Sequence, residues 1–182
     1  MVIISNFFQV ILFDQLKVSF NFSDEDSSYY FFAFNCAFSF TSLFLPLLPE
    51  SCNKRCLMCP STFISAIGLL FMGPSRLIGF NNTPTLILAG LLTTGAASSI
   101  PVSLCLSEQI EATRHDFPLQ YNRLVDLATS LNVFWAGFGN ILGPVLGGAL
   151  HSLFGFRRAC DALALVTLIL SLIQLVDLLR SK

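Results

Sequence analysis

The sequence predicts an all-α membrane protein with six transmembrane helices, and three observations carry that expectation. First, 54% of the 182 residues are hydrophobic and only 12% are charged, with 19 phenylalanines. Soluble domains carry roughly 25% charged residues, so half that share leaves too few polar side chains to cover a globule in water. Second, apolar runs close to the roughly 20 residues that a bilayer-crossing helix requires alternate with short clusters of polar residues and breakers. Third, Gly139, Gly143 and Gly147 recur every fourth residue, beside Pro144 and Gly148. In a helix interior glycine costs about 1 kcal/mol relative to alanine, and proline about 3. A bilayer compensates, because lipid offers backbone groups no other partner and small residues at this spacing let helices touch backbone to backbone. The glycine stripe is therefore expected to be the seat around which the other helices pack. Between Leu124 and Phe154 only Asp126 and His151 are titratable.

The first span is residues 1–17. It lacks the basic start and small-residue cleavage site of a signal peptide, so it reads as a retained helix, although Asn6, Gln9, Asp14 and Gln15 interrupt it. A polar patch, Asn21 to Asp26, follows. Ser23 can cap a helix there, answered by Asp26 three residues on. The second span, 27–48, ends at Pro46 and Pro49. Glu50 to Arg55 is a hydrophilic turn, and the third span, 57–77, is interrupted near its end by Gly73-Pro74. Gly79 to Pro84 is dense in breakers. The fourth span, 85–106, carries a second small-residue face (Gly90, Gly95, Ala96, Ala97, Ser98, Ser99), and Pro101 is expected to kink it. Residues 107–123 form a solvent-exposed connector on the cytoplasmic side. The glycine-striped fifth span is 124–152, Gly155 to Arg158 makes a tight turn, and the sixth span is 159–179.

Alternate turns must lie on opposite sides of a membrane, so the basic residues test the orientation. Lys54, Arg55, Arg114, Arg123, Arg180 and Lys182 share one side; Lys17, Arg76, Arg157 and Arg158 share the other. Six against four favours a cytoplasmic C-terminus, in an integral multi-pass protein whose first partner is the lipid bilayer. The triplets Asn21-Phe22-Ser23 and Asn81-Asn82-Thr83 then fall on the outer or lumenal side, in loops too short to be modified. A net charge of -1 gives no reason to expect nucleic acid.

Chemistry-bearing residues are few. Asp14 lies within a span, where an acid is by default a functional candidate for proton coupling; alternatively the span ends early and Asp14 reaches the headgroups. Cys52, Cys56 and Cys59 have the density of a metal site but no fourth ligand, since the histidines are His115 and His151 and a structural zinc takes four. The six cysteines read as packing, with acylation near the helix end as the other reading. Asn35, Asn132, Asn140 and Gln174 can line a polar cavity or bond between helices. Trp135 can stack on an amine cation or face lipid. No nucleophile with a base and no phosphate loop is present in the sequence, so neither an enzyme nor a cofactor is expected.

Several of these stretches together resemble a known family. Gly73-Pro74-Ser75, Gly90-Leu91-Leu92 with Pro101 and Glu108, Ser130-Leu131-Asn132, the Gly139 to Gly148 stretch, and Leu153-Phe154-Gly155-Phe156-Arg157-Arg158 occur in an order similar to the C-terminal half of a major facilitator superfamily transporter. The nearest branch is the one that includes vesicular amine transporters. The resemblance implies that the chain supplies helices seven to twelve of a twelve-helix carrier, and that the glycine-proline stretch is an antiporter-like motif. It further implies that Glu50, Lys54 and Arg55 are the remnant of a loop latch that has lost its glycines. The implied activity is secondary transport of a small organic solute, in particular an organic cation or amine. A second six-helix half, or a second copy of the chain, would complete the substrate site. The competing expectation is a non-transporting half-carrier that serves as a membrane assembly component.

Overall fold

The computed structural model describes residues 6, 11–12, 15–47, 53–73, 83–114 and 121–180. Among the described residues all regular structure is helical. Residues 15–20 are helical (α1), followed by α2 (Asp24–Phe44) with a 3-10 turn (Leu45–Leu47), α3 (Lys54–Met72), α4 (Pro84–Arg114), α5 (Tyr121–Phe154) and α6 (Phe156–Arg180). The last five are long and apolar enough to cross a membrane, a set compatible with a multi-pass integral membrane protein. Most of the expected first span, Asp14 included, lies outside the described residues.

Local chemistry sets the helix ends. Ser23 caps α2 as the spacing predicts: its hydroxyl accepts the Asp26 N–H at 3.2 Å, and the Asp26 carboxylate accepts the Ser23 N–H at 3.3 Å. Because the acids belong to this capping turn, α2 begins at Asp24 and not at residue 27. Asn53 does the same for α3, its side chain accepting the Arg55 N–H at 3.1 Å. Lys54 and Arg55 are therefore first-turn helical residues, where the sequence suggested a turn. Gly73 closes α3, its N–H reaching the Leu69 carbonyl at 3.0 Å, so this helix stops at Met72, short of residue 77. Pro84 opens α4 at a position where its missing N–H costs nothing. Gly155, with φ +79°, makes the turn between α5 and α6, in a region that suits glycine.

One boundary differs more. α4 does not end near residue 106 but continues to Arg114, and α5 starts at Tyr121. Residues 107–114 of the expected connector are thus helix, and residues 115–120 lie outside the described residues. The polar composition there reads as loop, but Glu108 and Glu111 pair with Arg55 and Lys54 on α3, so the helix can carry its charges onward.

Cross-helix contacts fix the arrangement. Gly90 of α4 lies so close to α3 that a Cβ would fall 2.5 Å from the Met72 nitrogen, and one on Gly95 would fall 2.6 Å from the Phe34 carbonyl oxygen of α2. Ser42 and Ser103 bond at 2.9 Å. Residues 34 and 42 thus match 95 and 103 in rising order, so α2 and α4 run parallel. α3 runs antiparallel to α4, since its start meets Glu108 and its end meets Gly90. It is also antiparallel to α6, with Arg55 near Asp177 and Gly73 near Cys160. Ile11, Leu12, Leu16, Phe34, Leu69, Met72, Ile87, Leu91, Phe156, Ala159, Cys160 and Ala164 form one buried core.

The organising helix is α4, not α5. Half of the most apolar 18-residue stretch of α4 is buried, against 17% of that of α5. The small-residue face of α4 meets two helices, whereas most of α5 is exposed. The glycine stripe is nonetheless the packed side of α5: Gly139, Gly143 and Gly147 are buried, Pro144 is half-buried and Gly148 is exposed.

Candidate functional site

Buried polar side chains occur on α2, α3, α4 and α6, and those on the facing stripes of α3 and α6 bond one another across the helices. Residues 55, 59 and 62 follow one another at helical spacing, as do 171, 174 and 177, so each set occupies one face. At the charged end, Arg55 Nε donates to Glu108 Oε1, and its Nη1 lies 3.9 Å from Asp177 Oδ2. Lys54 Nζ donates to Glu111 Oε2 at 2.6 Å. Two bases from α3 thus gather acids from α4 and α6 into one cluster.

Deeper in, Ser171 Oγ donates to the Cys59 carbonyl at 3.3 Å, and the Cys59 thiol lies 3.7 Å from the Ser171 carbonyl. Thr62 Oγ1 lies 2.9 Å from Gln174 Oε1 and 2.8 Å from its own helix's Cys59 carbonyl. Further along, Ser65, Thr94 and Thr167 are fully buried. Thr167 bonds the Leu163 carbonyl at 2.7 Å, whereas Ser65 Oγ and Thr94 Oγ1 have no partner among the described residues. Buried polar groups are normally satisfied, so Ser65 on α3 and Thr94 on α4, whose hydroxyl lies beside Gly68, are the exceptions. The arrangement is a line of donors and acceptors leading from charge at one end into an apolar interior. It ties α3 to α6.

The residues singled out from sequence are distributed differently. Lys54 and Arg55 belong to the charged cluster, and Glu50 and Asp14 lie outside the described residues. Asn132 is half-buried on α5, and Trp135 is 62% exposed. Trp135 packs edge-on against Phe134 and Phe138, at centroid distances of 5.4 and 6.1 Å. A cleft of about 420 Å³ between the end of α4 and the start of α5 is lined by Gln109, Thr113, Arg123, Leu124, Leu127, Ala128 and Leu131, so neither Asn132 nor Trp135 faces it. Asn140 accepts a 2.7 Å bond from Asn6, which brings the N-terminal segment to the glycine stripe. Gln174 also bonds between helices, while Asn35 donates to the Phe31 carbonyl of its own helix at 2.9 Å. Cys56 is exposed and Cys59 is buried against α6, so these two thiols do not converge.

Sequence reasoning missed the acids of this cluster as partners of Arg55, and it missed Thr62 and Ser171 altogether. A signal was available: single polar residues recurring at helical spacing on otherwise apolar α3 and α6. No family model, curated protein or solved structure matches the chain, so the site stands on its residues and geometry.

Proposed function

We propose that this chain is a multi-pass membrane domain equivalent to the C-terminal six-helix half of a major facilitator-type carrier. In this reading it serves the secondary transport of a small organic solute, an organic cation or amine. The observation that supports the reading best is the polar line on α3 and α6, which runs from the Arg55–Glu108–Asp177 cluster into the apolar interior. Intramembrane polarity is expensive and belongs where solutes or ions pass.

In this account the ion pairs hold one end shut and exchange partners when it opens. The glycine face of α5 lets a neighbouring helix slide at close range, Asp14 couples protons, and Asn132 and Trp135 meet the solute once a second half covers α5. Carriers of this class bind substrate between halves near the midplane, so the second half comes from another polypeptide segment or another copy. The charged end is cytoplasmic, which puts the C-terminus there too.

The test is uptake of a radiolabelled organic amine into proteoliposomes under a proton gradient, with the chain alone and with a six-helix N-terminal half. Saturable, gradient-dependent flux in either preparation supports the carrier; flux in neither refutes it. A second reading, a non-transporting assembly component, draws on the apolar surface of α2. Tyr29, Phe32, Phe40, Leu43 and Leu47 are exposed there, and only 6% of the helix's most apolar stretch is buried. A stoichiometric partner that survives detergent, with no flux, would favour it.

A further inference from the structure

We propose that the cleft between the N-terminal segment and the α5–α6 turn binds a phosphoethanolamine headgroup, an anion carrying a tethered primary ammonium. The cleft measures about 650 Å³, and its lining includes Gln15, Phe154, Arg157, Arg158 and Asp161. That lies within the roughly 300–1,000 Å³ typical of small-ligand sites.

Three charged groups share this cleft without satisfying one another. Arg157 and Arg158 stand four and three residues before Asp161, the spacings at which opposite charges on a helix ordinarily pair. Among the described residues neither arginine forms an ion pair. Among the described residues Asp161 Oδ1, which is buried, has no hydrogen-bond donor. A buried acceptor left in that state carries its full desolvation penalty, so the site asks for a donor at Asp161 and for an anion at the arginines.

A ligand with only a negative group answers half of this demand. A phosphoethanolamine group answers all of it: its ammonium pairs with the Asp161 carboxylate where that side chain lines the cleft, and its phosphate oxygens accept from the guanidinium groups. The first turn of α6 adds its positive dipole end on the phosphate side. Exposed Phe154, at the rim, offers apolar surface to the attached chains. A choline headgroup has no N–H to donate, and a glycerol headgroup has no cation, so both fit less well. The inference rests on membrane residence as the source of the lipid and is independent of transport.

The experiment is native mass spectrometry of the full chain in non-ionic detergent. It is titrated with phosphatidylethanolamine, phosphatidylcholine and phosphatidylglycerol of identical acyl chains, and with soluble glycerophosphoethanolamine. Phosphatidylethanolamine is expected to bind about tenfold more tightly than either other lipid, the effect of one charge-assisted hydrogen bond. Asp161→Asn should erase its advantage over phosphatidylglycerol while leaving phosphatidylglycerol binding in place, and Asp161→Glu should retain the advantage. Arg157→Gln combined with Arg158→Gln should weaken all three lipids, with circular dichroism confirming helix content. Competition by the soluble compound would show that the headgroup alone suffices; its failure would show that the acyl chains are required, and both uphold the site. Equal affinity for the three lipids, or an unchanged preference in Asp161→Asn, overturns the headgroup site and leaves the membrane reading standing. A chain that stays monodisperse without detergent overturns the membrane reading itself.

Discussion

Replacing Gly90 by alanine probes the contact on which the packing of α4 depends. The added Cβ would lie 2.5 Å from the Met72 nitrogen, 2.8 Å from the Gly68 carbonyl oxygen and 2.9 Å from the Met72 Cα. All three are backbone atoms, so no side chain can swing aside. Non-bonded carbon contacts settle at about 3.5–4.0 Å, and α3 and α4 must therefore part by about 1 Å at this crossing. Leu69, Met72 and Leu91, all fully buried, would lose part of their dispersion contact. Overpacking of this kind costs about 1–3 kcal/mol, offset by the gain of about 1 kcal/mol from exchanging glycine for alanine in a helix. The net expectation is a loss of up to about 2 kcal/mol. Gly148→Ala is the matched control: a Cβ there meets nothing within 4 Å, so only the gain of about 1 kcal/mol applies. Equilibrium unfolding in mixed detergent micelles, followed by circular dichroism, measures both. If Gly90→Ala proves as stabilising as Gly148→Ala, the close approach of α3 and α4 is wrong.

Three further outcomes follow from the same geometry. Thr94→Val should leave stability unchanged or raise it by about 1 kcal/mol, because its buried hydroxyl has no partner among the described residues, whereas Thr62→Val should cost about 1 kcal/mol by freeing Gln174; thermal unfolding in detergent compares the two. A double-mutant cycle between Arg55 and Glu108 should give a coupling of about 1 kcal/mol, and one between Lys54 and Glu111 almost none, since the Glu108 side chain is 22% exposed and that of Glu111 is 66% exposed. Raising the salt concentration should shrink the first value, and equal couplings would contradict the difference in shielding. Ser23→Ala should cost about 1 kcal/mol and speed amide exchange in the first turn of α2 while sparing α6.

Much of this architecture was legible because helices long and apolar enough to cross a membrane announce themselves by length and composition. Ser23 with Asp26, the break after Met72, and Gly155 worked as punctuation because caps and turns depend on neighbouring residues alone. The starts of α2 and α3 and the end of α4 were placed wrongly for one reason. Acids and bases there look like loop in a local window, yet they are helical residues satisfied by caps or by partners more than 50 positions away, as Arg55 is by Glu108. Gly139, Gly143 and Gly147 are buried. That α4 and not α5 holds the centre could not be read from spacing, since both helices carry small-residue faces and only the tertiary arrangement decides which one meets two neighbours. The seam of Cys59, Thr62, Ser171 and Gln174 was overlooked because each residue is unremarkable singly and acquires meaning only when α3 and α6 are antiparallel.

The most direct test of whether these helices cross a membrane is the sidedness of thiol labelling in sealed vesicles with a membrane-impermeant maleimide. Two single-cysteine versions are needed, one keeping Cys56, which is exposed in the first turn of α3, and one carrying Ser152→Cys in the last turn of α5. Labelling of the two positions from opposite faces is the predicted result. Labelling of both from the same face, without permeabilisation, would contradict it.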